Sequence, residues 1–276
     1  MQPYIFVTTF NEAGYQQYGR KMLESFVANW PGDQQIIVYV EGFDLDPKLV
    51  KNSMIVVRDI THVKPLMEFK ARHKDNPKAN GYWPEGEDLP NFKYDAVRFS
   101  HKVYALRDAF PTVQKESKGM IWIDGDTITH RTVPETFLTS VAPLHFFGSI
   151  GDRKQYGITY LGRSRQHSEC GFVVYNTKHP MMEAFWDEFA GMYTNDTIFD
   201  LAEWHDSFVF DHVRKIYEAK GMVNNNLTPK IATGHPFINS RLGEYMDHMK
   251  GARKNQGRSR KSERFTRTSN ESKWWK

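Results

Sequence analysis

Asp124-Gly125-Asp126 ends the apolar run Met120-Ile121-Trp122-Ile123. In an open α/β sheet, ligands bind outside the carboxyl ends of the strands. Side chains two apart on an extended segment point the same way, so both carboxylates face one point. Gly125 between them lets another group approach the backbone closely. Two like charges so placed repel each other unless a cation sits between them. Hard oxygen ligands suit Mg²⁺ or Mn²⁺, and such an ion can bind a diphosphate. The plain alternative is a strand-to-turn transition, since Asp and Gly are turn residues.

Late in the chain, His248-Met249-Lys250-Gly251-Ala252-Arg253-Lys254 has the form H-x-x-G-x-x-K. The imidazole is a candidate third metal ligand. Gly251 lets the backbone turn around a phosphate, and Lys254 neutralises it as a point charge. A mixed Asp/Asp/His set favours Mn²⁺ over Mg²⁺, because imidazole is a softer ligand than Mg²⁺ prefers. Against this stands an ordinary satisfied histidine followed by a solvated run of cations.

The elements that must position these groups alternate between strand and helix. Residues 5–10 (IFVTTF) read as a strand, broken at Asn11-Glu12-Ala13-Gly14. Tyr15, Tyr18, Met22, Phe26 and Trp30 then recur at spacings of three and four, as on one face of a helix. Residues 36–40 (IIVYV) follow as a buried strand, giving a βαβ opening and hence a parallel sheet with a right-handed crossover. Residues 60–93, broken by four prolines and two glycines, read as a long surface excursion. Phe99, Val103, Leu106 and Phe110 mark a helix over 95–110; strands follow at 120–123 and 171–176, then helices through Met182–Met192 and over 203–217.

Together these segments resemble the metal-dependent GT-A glycosyltransferases, most closely the glycogenin-like branch, glycosyltransferase family 8. Residues 6–26 look like that family's opening strand, loop and helix, 121–128 (IWIDGDTI) are similar to its D-x-D strand, and 248–254 fit its H-x-x-G-x-x-K element. The resemblance implies a Rossmann-like, mostly parallel central sheet flanked by helices in one catalytic domain, 1–254. It implies transfer of a hexosyl or pentosyl group from a nucleotide sugar, with UDP the expected carrier, retention of anomeric configuration, and an acceptor the sequence does not name.

By the same resemblance, Asp126 is a direct metal ligand, Asp124 is shared between ribose and metal, and His248 is the third ligand, holding Mn²⁺ or Mg²⁺. Gly251 and Lys254 fall at the diphosphate, and Thr8, Asn11 and Tyr15 where the family contacts the nucleoside, Tyr15 stacking on the base. Arg98 and Lys102, four apart on one helix face, match a basic pair aimed at donor phosphates or sugar, against a reading as surface charge. Ser168-Glu169-Cys170-Gly171 departs from the family's usual Asn-x-Gly, and Trp204-His205-Asp206-Ser207 from its usual Asp-Gln. Asp206 is therefore a candidate for the donor-sugar hydroxyls, or a simple helix cap. Glu169 is a candidate to contact the reacting sugar or acceptor. Both are the catalytic candidates.

Composition bounds the rest. Of the 276 residues, 39% are apolar and 14% aromatic, which excludes bulk disorder and coiled coil. No apolar run approaches the ~20 residues that span a bilayer. Cys170 is the only cysteine, so no internal disulfide forms, and a reducing, cytoplasmic setting is expected. Residues 250–276 hold ten Lys/Arg against Glu263 and Glu271, so the net charge of +4 combines a mildly acidic body with a basic tail. Residues 255–276 are expected to be flexible. Phe265, Trp274 and Trp275 among those cations keep open a nucleic-acid-associated protein, including a glycosyltransferase acting on modified bases. A nucleotidyltransferase would need a glycine-rich phosphate loop after the first strand, and TTFNEAGYQQYG has too few glycines.

Overall fold

The computed structural model describes residues 2–83, 89–147, 153–163, 166–229, 231 and 234–259. The basic tail beyond Ser259, with its aromatic residues, lies outside them. The strands are β1 (Gln2–Asn11), β2 (Gln35–Glu41), β3 (Ile55–Asp59), β4 (Ser117–Ile123), β5 (Thr127–Thr129), β6 (His145–Phe147), β7 (Arg153–Gln155), β8 (Ile158–Leu161), β9 (Glu169–Asn176), β10 (Asn225–Asn226) and β11 (Met246–His248). The helices are α1 (Glu12–Gly14), continued through a π turn into α2 (Arg20–Asn29), then α3 (Pro47–Val50), α4 (Lys64–His73), α5 (Ala96–Glu116), α6 (Phe137–Val141), α7 (Met182–Thr194), α8 (Asp206–Ala219) and α9 (Pro236–Asn239).

Seven strands form the central sheet in the order β10-β8-β9-β4-β1-β2-β3. β1 runs parallel to both β2 and β4, β2 to β3, and β8 to β10. β9 alone reverses, pairing antiparallel with β4 on one side and β8 on the other. The fold is thus α/β, with a mostly parallel sheet flanked by helices on both faces. The period-two alternation of β1 divides the core. Tyr4 and Phe6 join Leu23, Phe26 and Trp30 beneath α2, while Ile5 and Val7 join Val103, Leu106 and Phe110 beneath α5. Strand order changes direction at β1, and a crevice opens there at the carboxyl ends of β1 and β4.

The opening βαβ unit is present as expected. The break at Asn11 is itself a helix start, because the Asn11 side chain accepts a hydrogen bond from Gly14 N at 2.8 Å. The 60–93 segment is not a surface excursion. Its first part forms α4, which buries Leu66, Phe69 and His73. Pro65 sits in that helix's first turn, where no backbone donor is needed, so it does not break the helix. Residues 84–88 of the same segment lie outside the described residues. No helix among the described residues is long and apolar enough to cross a membrane.

Candidate metal centre

The chain turns sharply where β4 ends. Asp124 N donates to Gly171 O at 3.0 Å, clamping the end of β4 to β9, and Thr127 N donates to Asp124 O at 3.0 Å, closing a turn. The two carboxylates converge through this turn and not through strand alternation, so the turn and metal readings of D-x-D describe one feature. β5 starts at once and pairs antiparallel with β11, placing His248 opposite Thr127. Met249 N donates to Asp126 O at 3.0 Å, fastening the late segment to the turn.

His248 Nε2 lies 3.0 Å from Asp126 Oδ1 and 3.3 Å from Asp124 Oδ2. Asp124, Asp126 and His248 each offer a ligand atom, all within 4.8 Å of one another. On the far side of the ring, His248 Nδ1 lies 3.2 Å from Glu169 Oε1. The ring packs against Gly171, where a Cβ would sit 2.5 Å from its Cε1 and Nδ1. His235 Nε2 donates to His248 O at 2.9 Å and holds the strand from behind.

Opposed charges crowd together here. His248 is 2% exposed. Burial opposes its charge, yet Asp126, Asp124 and Glu169 raise its pKa well above the usual histidine value. The imidazole thus faces the three carboxylates alongside Lys102, Lys250 and Lys254. A divalent ion fits the same donor set and would displace the His248 proton. Against the opposing burial, Lys102 and His248 hold Asp124 low, His248 and Lys254 hold Asp126 low, and Lys250 and His248 hold Glu169 well below the ordinary carboxylate range.

A cleft of about 460 Å³ adjoins the centre. Of the residues singled out in the sequence, Asn11, Arg98, Lys102, Asp124, Asp126, Asp206 and Lys254 line it. Lys102 is buried and not a surface charge. Its Nζ donates to Asp206 Oδ2 at 2.8 Å and Cys170 O at 2.6 Å, and lies 3.5 Å from Asp124 Oδ1. Asp206 is the first residue of α8; the cap position is His205's. Lys254 Nζ lies 3.1 Å from Asp126 Oδ2 and 4.5 Å from the centre of the Tyr18 ring. Gly251 has φ +55, a left-handed turn that glycine adopts without strain.

Five expected residues lie off the cleft wall: Thr8, Tyr15, Glu169, His248 and Gly251. Thr8 is fully buried in β1, and Tyr15 is buried between Phe10 and Phe43, at centroid distances of 6.1 and 5.2 Å. Glu169 sits behind His248. Tyr18 and Thr9 line the cleft where Tyr15 and Thr8 were expected. Tyr18 belongs to the same helical stripe as Tyr15, so spacing alone did not separate them. Glu41 and His101, also on the wall, carry no motif.

No family model matches the chain, and no curated protein matches it. Among solved structures, it is similar to mouse xyloside xylosyltransferase 1 in its apo form, with TM-score 0.45 and 12% identity over 82% of this chain and 85% of that one. It is similar to the apo bifunctional glycosyltransferase WbbM, with TM-score 0.45 and 11% identity over 82% of this chain and 39% of that one. A transferase carrying two cysteine-to-serine substitutions gives TM-score 0.42 and 14% identity over 80% of this chain and 91% of that one.

Proposed function

We propose that this chain is a metal-dependent glycosyltransferase of the GT-A type, closest to the glycogenin-like branch. It moves a sugar from a nucleoside-diphosphate sugar, with UDP as carrier, to an acceptor hydroxyl. The observation that carries this reading is the convergence of Asp124, Asp126 and His248 at the carboxyl end of β4, with Lys254 and Lys102 beside them.

Glycosyl transfer needs a diphosphate to leave while positive charge builds on the anomeric carbon. Asp124, Asp126 and His248 would hold a divalent ion, Mn²⁺ by the softness of the imidazole, which when bound supplies Lewis-acid stabilisation of the departing oxygens. Lys254 is a cation already aimed at that point, and Arg98 stands on the same wall, so charge on the leaving group meets fixed positive groups in a sheltered cleft. The aromatic face of Tyr18 and the amide of Asn11 border the space for the nucleoside. Lys102 fixes the carboxylate of Asp206, which then presents its oxygens to the hydroxyls of the transferred sugar. Glu169 holds His248 in place from behind, so it acts on the ion's ligand and not on the sugar. Transfer proceeds with retention, the leaving phosphate drawing the acceptor proton on the same face.

A thermal-shift series of nucleoside diphosphates and nucleotide sugars, with and without Mn²⁺, tests this directly. UDP with Mn²⁺ should raise the melting temperature more than either alone, because a ligand that binds only the folded state stabilises it. Asp126→Ala and His248→Ala should abolish both the joint shift and metal-dependent cleavage of the nucleotide sugar. Full UDP-sugar cleavage by either variant would sink the assignment.

A further inference from the structure

Among the described residues a second group of potential ligands lies apart from the Asp124–Asp126–His248 centre. The chain enters α8 extended, with ψ 158 at Leu201 and 157 at His205. Trp204 is buried here; its indole donates to Leu201 O at 3.0 Å and its backbone N to Lys93 O at 2.7 Å. With Trp204 turned into the core, its neighbours Glu203 and His205 leave the backbone on the other side together. His205 Nε2 lies 2.9 Å from Glu203 Oε2, and His167 Nε2, on the approach to β9, lies 3.8 Å from the same oxygen. Lys93 Nζ donates to the other oxygen, Oε1, at 2.7 Å, which turns Oε2 toward the imidazoles. Phe92 packs 5.6 Å from the His205 ring and Phe208 5.0 Å from that of His167.

We propose that His167, Glu203 and His205 form a second metal site, for a transition-metal dication of the Zn²⁺ class. Their ligand atoms, one from each residue, lie within 4.8 Å of one another. Two imidazoles and one carboxylate are a donor set that Zn²⁺ takes with a fourth, tetrahedral position left for water or a substrate oxygen. The set is too rich in nitrogen for Mg²⁺ or Ca²⁺, so the two sites of this chain differ in preference. The aromatic rings form a partly apolar shell, which strengthens the field of a bound ion. The ion ties the approach to β9 to the start of α8. Asp206 follows His205 directly, so the same tie fixes the carboxylate that Lys102 holds in the cleft. This proposal stands independently of the donor chemistry.

The test uses tag-free full-length protein, stripped with a chelator and carrying Asp126→Asn to silence the first site. This protein should take up one equivalent of Zn²⁺ in equilibrium dialysis, gain melting temperature from it, and give with Co²⁺ the strong visible absorption of a four-coordinate ion. Adding His167→Gln should remove all three responses. His167 has a side chain 42% exposed, so its replacement leaves folding intact, checked by an unchanged metal-free melting temperature. Glu203→Gln should repeat the loss. No uptake by the Asp126→Asn protein overturns the proposal, as does uptake that survives His167→Gln, since the trio is then only hydrogen-bonded.

Discussion

At the scale of single residues, the centre depends on what Gly171 lacks. Its hydrogen leaves room for the imidazole of His248, which any Cβ would strike at 2.5 Å. Gly171→Ala should therefore push the ring off Asp124 and Asp126 and lower divalent-ion affinity at least about tenfold, as moving a ligand's support does. Isothermal titration with Mn²⁺ measures this, and an unaltered affinity would show that the ring has other room. Lys102 makes a complementary case. Lys102→Met leaves Asp124 and Asp206 facing an apolar side chain in a buried place, and should cost on the order of 3 kcal/mol in urea unfolding at pH 7. The loss should shrink toward pH 5 as one carboxylate takes up a proton. Sequence pointed to Asp124, Asp126, His248 and Lys254 through two motifs occurring in order, and the structure brings these four together. Sequence could not carry Gly171 or Tyr18, since a glycine in a strand and a tyrosine in an apolar stripe have commoner uses. The partner of Lys102 was equally hidden: a lysine on a helix reads as surface until its neighbours in space are known.

Between elements, Glu41 at the end of β2 joins α4 and α5 to the sheet. Its carboxylate pairs with Lys70 on α4, and its Oε2 lies 3.1 Å from His101 Nε2 on α5. The hydrogen bond from His101, against the burial and with that of Lys70, lowers its pKa from 4.5 to about 2. A carboxylate depressed by folding stabilises fully above its unfolded value. That contribution, on the order of 2 kcal/mol, should disappear as pH falls from about 4.5 toward 2. Glu41→Gln should flatten this acid limb of the stability curve in denaturant titrations, and an unchanged limb would remove Glu41 from the account. The long helices and β1, β2, β4 and β9 were legible because apolar periodicity is a local property. α4 was lost to prolines that in fact open it or lie beyond it. β3 was lost because Val56 and Val57 are partly exposed at an edge. β5 and β11, three residues each, are too short to show alternation, and only their pairing with each other makes them strands.

Over the whole molecule, the cleft gathers residues from Thr9 to Lys254. The folded body continues past the lysine. Ser259 is buried, and its backbone N donates to Asp247 Oδ2 at 2.9 Å while its hydroxyl bonds the other oxygen. Ending the chain at 254 removes both bonds beside His248 and should cost about 2 kcal/mol relative to ending it at 259. Thermal unfolding of the two truncations checks the difference, and equal melting temperatures would show that the hook contributes nothing. The ladder that brings β11 back to β5 has a further consequence, in time instead of space. During synthesis the D-x-D turn emerges long before its imidazole does. The nascent chain therefore carries two carboxylates without their third partner until β11 leaves the ribosome. A polypeptide released before β11 would hold Asp124 and Asp126 without the imidazole that lies between them.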